Sequence, residues 1–283
     1  MKRFNKVYLE ISNICNLKCA FCPGTKRQPH AMTEEAFSFL LERIKPYTDY
    51  VYFHLMGEPL CHPLLERFLQ LANQNGLRVI LTTNGTLLGK CQQMLLDAPG
   101  LHKINISLHA FEANDLRVPF AEYLDGCLQF GQAAAGKKLV VYRLWNRGGA
   151  DERNQQILAS LHLAFPGDWA SVRQGYRLAD RVYLEFGDKF EWPDLSADEG
   201  NERVFCYGLR DQIGILCDVT VVPCCLDHEG DLALGNLFEQ ELEEILASPR
   251  ARRLRREFDG GRAAEPLCRR CGFAAERFGH GRK

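Results

Sequence analysis

The sequence predicts an α/β protein, because short apolar runs alternate with amphipathic segments through its first two thirds. Six of these runs have the length of a strand, and the alternation stops near residue 196. Such a pattern is typical of βαβ units and a parallel sheet. The repeats fit either an open doubly wound sheet or a partial barrel, and in both folds ligands bind at the carboxyl ends of the strands. The predicted strands are residues 6–12, 51–56, 77–82, 103–108, 139–145 and 182–186.

Helices are predicted in several of the intervals between these strands. Residues 33–45 space their apolar side chains as a helix does, with Thr33 as the capping residue and Pro46 as the stop. Residues 62–75 carry one apolar face and end at Gly76. Two further helices are predicted at residues 123–135 and 154–163.

The pattern changes after the sixth strand, which predicts a second and smaller domain. Residues 196–203 are polar and are interpreted as a linker, residues 212–223 predict a β-hairpin, and residues 239–247 predict a short helix. The basic segment 251–257 is interpreted as a solvated helical face or loop, with an anionic ligand site as the alternative. The predicted domains are residues 1–195 and 196–283.

The overall charge gives no indication of a nucleic-acid or membrane partner. The 283 residues include 35 Lys and Arg against 36 Asp and Glu, so the net charge is −1 and no global field favours a polyanion. The N-terminus lacks the apolar run of a signal peptide. No apolar stretch approaches the roughly 20 residues that span a bilayer. We therefore expect a cytoplasmic protein.

Cysteine usage points to metal or redox chemistry. The chain has 12 cysteines, and disulfides are disfavoured in the cytosol. Three lie within residues 15–22, four lie within residues 206–225, and two are Cys268 and Cys271. We interpret the other three as small buried hydrophobic side chains. These isolated residues are Cys61, Cys91 and Cys127.

Cys15, Cys19 and Cys22 have the spacing of iron–sulfur ligands on a loop after a strand. A [4Fe–4S] cluster is usually held by four thiolates, so three close cysteines leave one iron open for a ligand from outside the protein. An open position is what distinguishes a catalytic metal site from a closed one. A zinc knuckle and buried thiols are the alternatives, but zinc knuckles favour a pair of CxxC units.

The segment Cys15-x3-Cys19-x2-Cys22, with Phe21 before its last cysteine, resembles the signature of the radical S-adenosylmethionine (SAM) superfamily. Three further segments resemble family motifs at the ends of strands two, three and four. They are Gly57-Glu58-Pro59, Thr82-Thr83-Asn84-Gly85 and Asn105-Ile106-Ser107-Leu108-His109. Met56 stands where the family has the first glycine of its GGE element. The resemblance covers residues 5–190 and implies a partial (β/α)6 barrel.

The resemblance also implies the cofactor chemistry. In the family, the open iron binds SAM through its amino and carboxylate groups, and one electron from the cluster cleaves a C–S bond of SAM. The resulting 5′-deoxyadenosyl radical abstracts hydrogen from a substrate. The implied cofactor-binding residues are Gly57, Glu58, Asn84 and Ser107. Arg143, at the end of strand five, has two interpretations: a ligand for the carboxylate of SAM or of a substrate, or a surface residue.

The later cysteines resemble a truncated SPASM ("twitch") domain, which holds an auxiliary [4Fe–4S] cluster on four cysteines. The resemblance implies a small C-terminal twitch/SPASM-like domain (β-hairpin plus helix). Its implied metal ligands are Cys206, Cys224, Cys268 and Cys271. Because side chains alternate along a strand, Cys224 and Cys225 point to opposite faces, and Cys225 remains the alternative to Cys224. Cys217 is interpreted as a strand residue that could replace one of the ligands. Val219 stands where the family usually has glycine, which leaves the turn geometry open.

Together these resemblances imply a radical SAM enzyme that performs a two-electron oxidation, in which the auxiliary cluster accepts the second electron. The substrate would be a small alcohol or a peptide side chain, and a flavodoxin or ferredoxin would be the electron donor. Because the chain begins at strand one, we expect no leader-binding domain of the kind that many peptide-modifying relatives carry. The alternatives are a peptide maturase that forms a crosslink and a non-enzymatic iron–sulfur carrier or zinc scaffold.

Overall fold

A single sheet dominates the computed structural model, which describes residues 4–114, 118–200, 202–263 and 265–278. Six strands lie side by side in chain order and pair in parallel. They are β1 (Lys6–Leu9), β2 (Tyr50–Phe53), β3 (Arg78–Thr83), β4 (Leu101–Ser107), β5 (Leu139–Arg147) and β8 (Val182–Asp188). A doubly wound sheet reverses its strand order at a switch point, whereas a barrel does not. The α/β class is therefore confirmed, and the strand order is that of a partial (β/α)6 barrel.

Short strands extend both edges of this sheet. At one edge β9 (Gln212–Ile215) pairs in parallel with β1, and β10 (Thr220–Val222) and β11 (Gly235–Asn236) follow in antiparallel order. At the other edge β7 (Gly175–Ala179) lies antiparallel between β8 and β6 (Ala170–Val172). The hairpin predicted from sequence is confirmed as β9 and β10. Because this hairpin continues the same sheet, the division at residue 195 stays a prediction.

Helices cover one face of the sheet, and strand residues such as Val7 and Leu81 pack beneath them in the main core. The first helix follows Thr33, whose hydroxyl accepts a hydrogen bond from the Ala36 N–H as predicted. These helices are α1 (Glu34–Ile44), α2 (Leu65–Gln74), α3 (Leu88–Asp97), α4 (Phe120–Ala134) and α5 (Asn154–Ala164). Short 3-10 turns occupy Pro59–Cys61 and Leu108–Ala110. Helix α3 was not predicted, because it contains Gly89 and lacks a side-chain cap.

The remaining described helices follow the hairpin. They are α6 (Leu242–Ala247), α7 (Pro249–Asp259), α8 (Pro266–Arg269) and α9 (Gly272–Phe278). The basic segment lies in α7, whose Ala251, Leu254 and Phe258 are buried, so its arginines form a solvated helical face. None of the helices in the described ranges is both long and apolar enough for a membrane span.

The face of the sheet that the helices leave uncovered carries polar side chains. Residues alternate between the two faces of a strand, so Tyr52 and Lys103 lie opposite the buried Val51 and Ile104. The charge of Arg143 affects the pKa of Tyr52, His54 and Lys103, which come from two other strands or their ends. These side chains therefore share one interior, below the loops at the carboxyl ends of the strands.

Candidate active site

The loop that carries the first three cysteines is closed at its base. Ser12, just beyond β1, forms an antiparallel bridge with Ala31. The N–H of His30 donates a hydrogen bond to Asn13 Oδ1 at 2.7 Å. These contacts hold both ends of residues 14–29 at the carboxyl end of the sheet.

Cys15, Cys19 and Cys22 all lie within this closed loop, with half-exposed or exposed side chains. The Leu17 N–H donates to Cys15 Sγ at 3.4 Å, and Asn114 Nδ2 donates to Cys19 Sγ at 3.1 Å. Burial raises the pKa of the Cys15 and Cys19 thiols, and the neighbouring thiols of the trio raise it further. The three sulfur atoms are thus close enough to interact, and the two donors favour the thiolate that iron binds.

A cubane cluster fits this arrangement. Within the described ranges, no three His, Cys, Asp or Glu side chains converge as the ligands of a single metal ion do. A cubane instead binds each thiolate to a different iron atom, so its ligands need not meet at one point. The loop offers three such thiols and stands over the open end of the strands. The residues present therefore suit a [4Fe–4S] cluster, and their assignment as its ligands stays a prediction.

Cys61 lies nearer to this loop than its sequence position indicated. It ends the 3-10 turn Pro59–Cys61. Burial raises the pKa of its thiol, and Glu58 and then Cys15 raise it further. The sequence predicts Cys61 only as a small buried hydrophobic side chain, whereas the structure leaves it half-buried. Its position two residues after Pro59 at a strand end was the sequence signal that placed it near the loop.

Gly57 allows the end of β2 to touch the cysteine loop. Its φ is +79°, and a Cβ at this position would lie 2.2 Å from the carbonyl oxygen of Ser12 and 3.0 Å from that of Ile14. Only glycine fits such an approach. The following N–H, that of Glu58, donates to the Ile14 carbonyl at 2.9 Å. This backbone contact seats the loop on the second strand.

Glu58 is buried, and both of its carboxylate oxygens accept backbone hydrogen bonds. Oε1 accepts from the Leu60 N–H at 3.0 Å, and Oε2 accepts from the Asn84 N–H at 2.7 Å. Burial raises the pKa of Glu58, and these hydrogen bonds oppose that rise. The Glu58 side chain therefore joins the ends of β2 and β3. Its proposed part in SAM binding stays a prediction.

Asn84 extends this connection to the cysteine loop. Its Nδ2 donates to Asn16 Oδ1 at 2.9 Å, and Asn16 Nδ2 donates to Thr86 Oγ1 at 2.8 Å. The Tyr123 hydroxyl, from α4, donates to the Asn84 carbonyl at 2.8 Å. The ends of β2 and β3 and the cysteine loop thus form one hydrogen-bonded unit.

Ser107 and Arg143 are paired across β4 and β5. The Arg143 side chain is only 16 % exposed, and its Nε lies 4.0 Å from a carboxylate oxygen of Glu185. Its guanidinium stands 4.5 Å from the ring centroid of Trp145. Arg143 therefore lies inside the curved sheet and not at the surface. The roles of Ser107 and Arg143 toward SAM remain predictions.

A cavity opens between the cysteine loop and the ends of β4 and β5. Phe21, from the loop, packs against His109 with ring centroids 5.2 Å apart, and both line the cavity. Burial lowers the pKa of His109 to about 4, so its ring is neutral at pH 7. Glu112 also lines the cavity, and its buried Oε2 has no hydrogen-bond partner among the described residues. This cavity adjoins the three cysteines and can admit a polar cofactor.

The four cysteines assigned to the second cluster are half-buried and line one cavity. They are Cys206, Cys224, Cys268 and Cys271. Burial and, to a smaller extent, the nearby Cys271 together raise the pKa of Cys206 to about 11. Burial likewise raises the pKa of Cys224, and the other three cysteines of the cavity raise this pKa further. Four thiols around one space fit the closed ligand set of a [4Fe–4S] cluster, whose binding would release their protons.

The two alternative cysteines face elsewhere. Cys225 lies against Tyr8 on the interior side of the sheet. Cys217 Sγ lies 3.7 Å from Arg27 Nη1, and its N–H donates to Glu10 Oε1 at 3.2 Å. The alternation of side chains thus favours Cys224, although the ligand assignment stays a prediction.

In the turn of the β9–β10 hairpin, a residue other than glycine adopts the left-handed backbone conformation. Val219 has a φ of +60°, a conformation that favours glycine, and its side chain is fully buried in the main core. The packing of this side chain offsets the backbone strain, so the turn forms despite the departure from the family pattern.

Comparison with known families separates the two cysteine sets into two domains. A model of the radical SAM superfamily matches residues 9–153, and a model of the SPASM iron–sulfur cluster-binding domain matches residues 206–272. The chain belongs to the radical SAM superfamily and carries a C-terminal SPASM domain. It is an enzyme of the oxidoreductase type, and its two domains imply SAM and two [4Fe–4S] clusters as cofactors.

Several known proteins, which bind different molecules, are similar to nearly the whole of this chain. The S-adenosyl-L-methionine-dependent 2-deoxy-scyllo-inosamine dehydrogenase of Niallia circulans is 23% identical to this chain. The aligned region covers 95% of this chain and 93% of the dehydrogenase. The structure of BtrN in complex with AdoMet and 2-DOIA is 20% identical, with a TM-score of 0.64 and coverage of 96% and 94%. SuiB of Streptococcus suis, bound to the precursor peptide SuiA, is 17% identical, with a TM-score of 0.64 and coverage of 96% and 70%. The two structures show a shared fold.

Proposed function

We propose that this enzyme oxidises a hydroxyl group of a polar small molecule in a SAM-dependent, two-electron dehydrogenation. The observation that carries the proposal is a single cavity lined by four half-buried cysteines, in a chain whose first three cysteines lie on a loop open to solvent. A cluster with all four ligands filled by cysteine has no position for a substrate and suits electron transfer. The full-length similarity to a dehydrogenase supports the same reaction.

The chain's own residues prepare the site for this chemistry. When bound, the first cluster supplies the electron that cleaves SAM and generates the hydrogen-abstracting radical. Glu58 and Asn84 hold the cysteine loop on the strand ends. The cavity beside Phe21 and His109 offers the adjoining space for SAM, and its rings exclude water from the reacting atoms.

The interior of the sheet supports a polyhydroxylated substrate. Asn105 is 1 % exposed, and its Nδ2 donates to Thr82 Oγ1 at 3.2 Å. Its Oδ1 is buried without a hydrogen-bond partner among the described residues. A buried acceptor left unpaired costs stability, so a substrate O–H at this position would be bound favourably. Lys103 and Arg143 add cationic donors to the same interior.

The electron count explains why two cysteine sets serve one reaction. Converting a secondary alcohol to a ketone removes one hydrogen atom, one proton and one electron. The hydrogen atom passes to the 5′ carbon of the SAM-derived radical. The proton passes to solvent, and a cluster held by the four later cysteines would accept the electron.

We propose a flavodoxin or ferredoxin as the external electron donor. We also propose a cytoplasmic location, in keeping with twelve cysteines outside any disulfide.

A panel of carbon-deuterated polyols and aminocyclitols tests the proposal. The reconstituted enzyme is incubated anaerobically with SAM, dithionite and each compound, and 5′-deoxyadenosine is measured by mass spectrometry. We expect one compound to transfer deuterium to 5′-deoxyadenosine and to yield a ketone that has lost two hydrogens. Deuterium transfer from a labelled precursor peptide, with none from any alcohol, would contradict the proposal and favour a peptide maturase.

A further inference from the structure

Helix α7 carries a strongly basic face beside the second cysteine cavity. Its sequence holds five arginines against one glutamate and one aspartate. Ala251, Leu254 and Phe258 form its buried stripe. At 100° per residue, Arg252, Arg253 and Arg256 lie opposite that stripe. The basic face of α7 is defined here as these three arginines.

Two contacts attach this helix to the walls of the cavity. Arg250 Nη1 donates to the Ala233 carbonyl at 2.8 Å, next to the cavity-lining residue Leu232. Arg253 pairs with Glu265, which precedes the helix that carries Cys268. The basic face is therefore held against the segments that surround the cysteines.

The helix itself forms part of the cavity wall. Phe258 lines the cavity together with Cys206 and Cys224. The opposite, solvent-facing side of the helix is thus about one helix diameter, ~10 Å, from this space.

The two carboxylates of α7 pair with arginines outside the basic face. Asp259 lies 3.9 Å from Arg255, and Glu257 lies 3.2 Å from Arg262. Arg252 and Arg256 are exposed, and neither forms an ion pair with a described residue. The net charge of the whole chain is −1, so this concentration of positive charge is local. An acidic partner would find electrostatic complementarity here.

We infer that the basic face of α7 docks an acidic electron-carrier protein, which exchanges electrons with the auxiliary cluster through the helix. The inference rests on the proposed oxidation, because that reaction delivers an electron to the cluster behind α7. Complementary charge would set the orientation of the carrier and speed its association, with a marked dependence on salt.

Binding of purified oxidised flavodoxin to the reconstituted full-length chain tests the inference. Anaerobic calorimetry at about 0.01 M and about 0.15 M ionic strength compares conditions with long and short screening lengths. We expect the double variant Arg252→Gln/Arg256→Gln to raise Kd about tenfold at the lower ionic strength, and to lose most of its salt dependence. Iron content and dithionite-driven formation of 5′-deoxyadenosine should match those of the parent chain.

A matched pair of arginines provides the control. Arg173 and Arg177 are exposed at the β6–β7 edge, and Arg173→Gln/Arg177→Gln removes the same charge. This control should bind flavodoxin as the parent does. Equal Kd values for both double variants, or no binding by the parent, would overturn the inference. The inference would also be overturned if Arg252→Gln/Arg256→Gln lost binding to RNA or to anionic vesicles while its binding to flavodoxin stayed unchanged. Because SAM cleavage with dithionite needs no carrier, failure of docking remains distinguishable from failure of the proposed oxidation.

Discussion

Lys103 illustrates how a single side chain in the sheet interior can oppose folding. Burial and, to a smaller extent, the charge of Arg143 together lower its pKa from 10.5 to about 8. Below pH 8 both the folded and the unfolded chain carry the proton, and the folded state holds a poorly solvated charge. Between about pH 8 and pH 10.5 the unfolded chain binds more protons, so stability rises with pH.

Replacing Lys103 with Met should therefore stabilise the protein at neutral pH. We expect an increase of about 1–2 kcal/mol in the free energy of unfolding at pH 7, after allowance for partial solvent screening. The gain should shrink as pH rises through the window above 8. Thermal unfolding midpoints of the reconstituted chain at several pH values measure this, with Lys137→Met, at an exposed position, as control. A lower midpoint for Lys103→Met at pH 7 would show that the ammonium group is well paired.

Residue spacing identified the cysteines but not the side chains that position them. Two sets of cysteines were predicted from their spacing and family pattern, and the structure brings each set together. The partners of Glu58 and the unpaired Oδ1 of Asn105 could not be predicted, because both depend on contacts between neighbouring strands. The approach of Cys61 to the loop likewise depends on how β2 ends.

At the scale of elements, the turn after β2 has the most restrictive geometry near the site. Replacing Gly57 with Ala would place a Cβ 2.2 Å from the Ser12 carbonyl oxygen, so the cysteine loop must move. We expect Gly57→Ala to lose about half of the bound iron and nearly all SAM cleavage, because one of two clusters would be missing. Iron assay and chromatography of 5′-deoxyadenosine measure these effects.

Gly89 supplies the control for this substitution. A Cβ at Gly89 meets no atom within 4 Å, and the residue lies inside α3. Alanine is the better helix former by about 1 kcal/mol, so Gly89→Ala should retain iron and activity. If Gly57→Ala behaved like Gly89→Ala, the turn would not be what seats the cysteine loop.

Elements with strong periodicity were predicted well, and those without it were not. The apolar spacing of residues 33–45 predicted α1 closely, whereas the β6–β7 hairpin was missed because β6 is exposed throughout. The pairing of Lys6 with Gln212 joins distant parts of the chain, and no local pattern encodes it. Local sequence therefore predicted the elements, but not the single sheet that unites them.

At the scale of the whole molecule, a buried ion pair and the hydrogen bonds beside it connect the cysteine loop, the end of β1 and the SPASM region. Arg27 Nη2 lies 2.6 Å from Glu10 Oε2, and the Glu10 side chain is fully buried. Arg27 Nε also donates to the His228 carbonyl at 2.9 Å. The Lys26 N–H donates to Glu229 Oε1 at 3.0 Å. These contacts tie the loop that follows Cys22 to the segment that follows Cys225.

Breaking this pair should destabilise the entire chain. Arg27→Met leaves the Glu10 charge buried without its partner, at a cost of about 3 kcal/mol. Glu10→Gln/Arg27→Met removes both charges and should recover part of that loss. Thermal midpoints of the reconstituted variants measure both effects. An Arg27→Met midpoint equal to that of the parent would mean that the pair contributes no net stability.

The most direct test of the central claim, that Cys15, Cys19 and Cys22 hold the SAM-cleaving cluster, is anaerobic reconstitution followed by measurement of iron and 5′-deoxyadenosine. The parent chain should bind about eight irons and release 5′-deoxyadenosine when dithionite and SAM are supplied. Replacing the three cysteines with Ala should leave about four irons and abolish 5′-deoxyadenosine formation. Undiminished 5′-deoxyadenosine release from the triple variant, or zinc in place of iron in the parent, would contradict the claim.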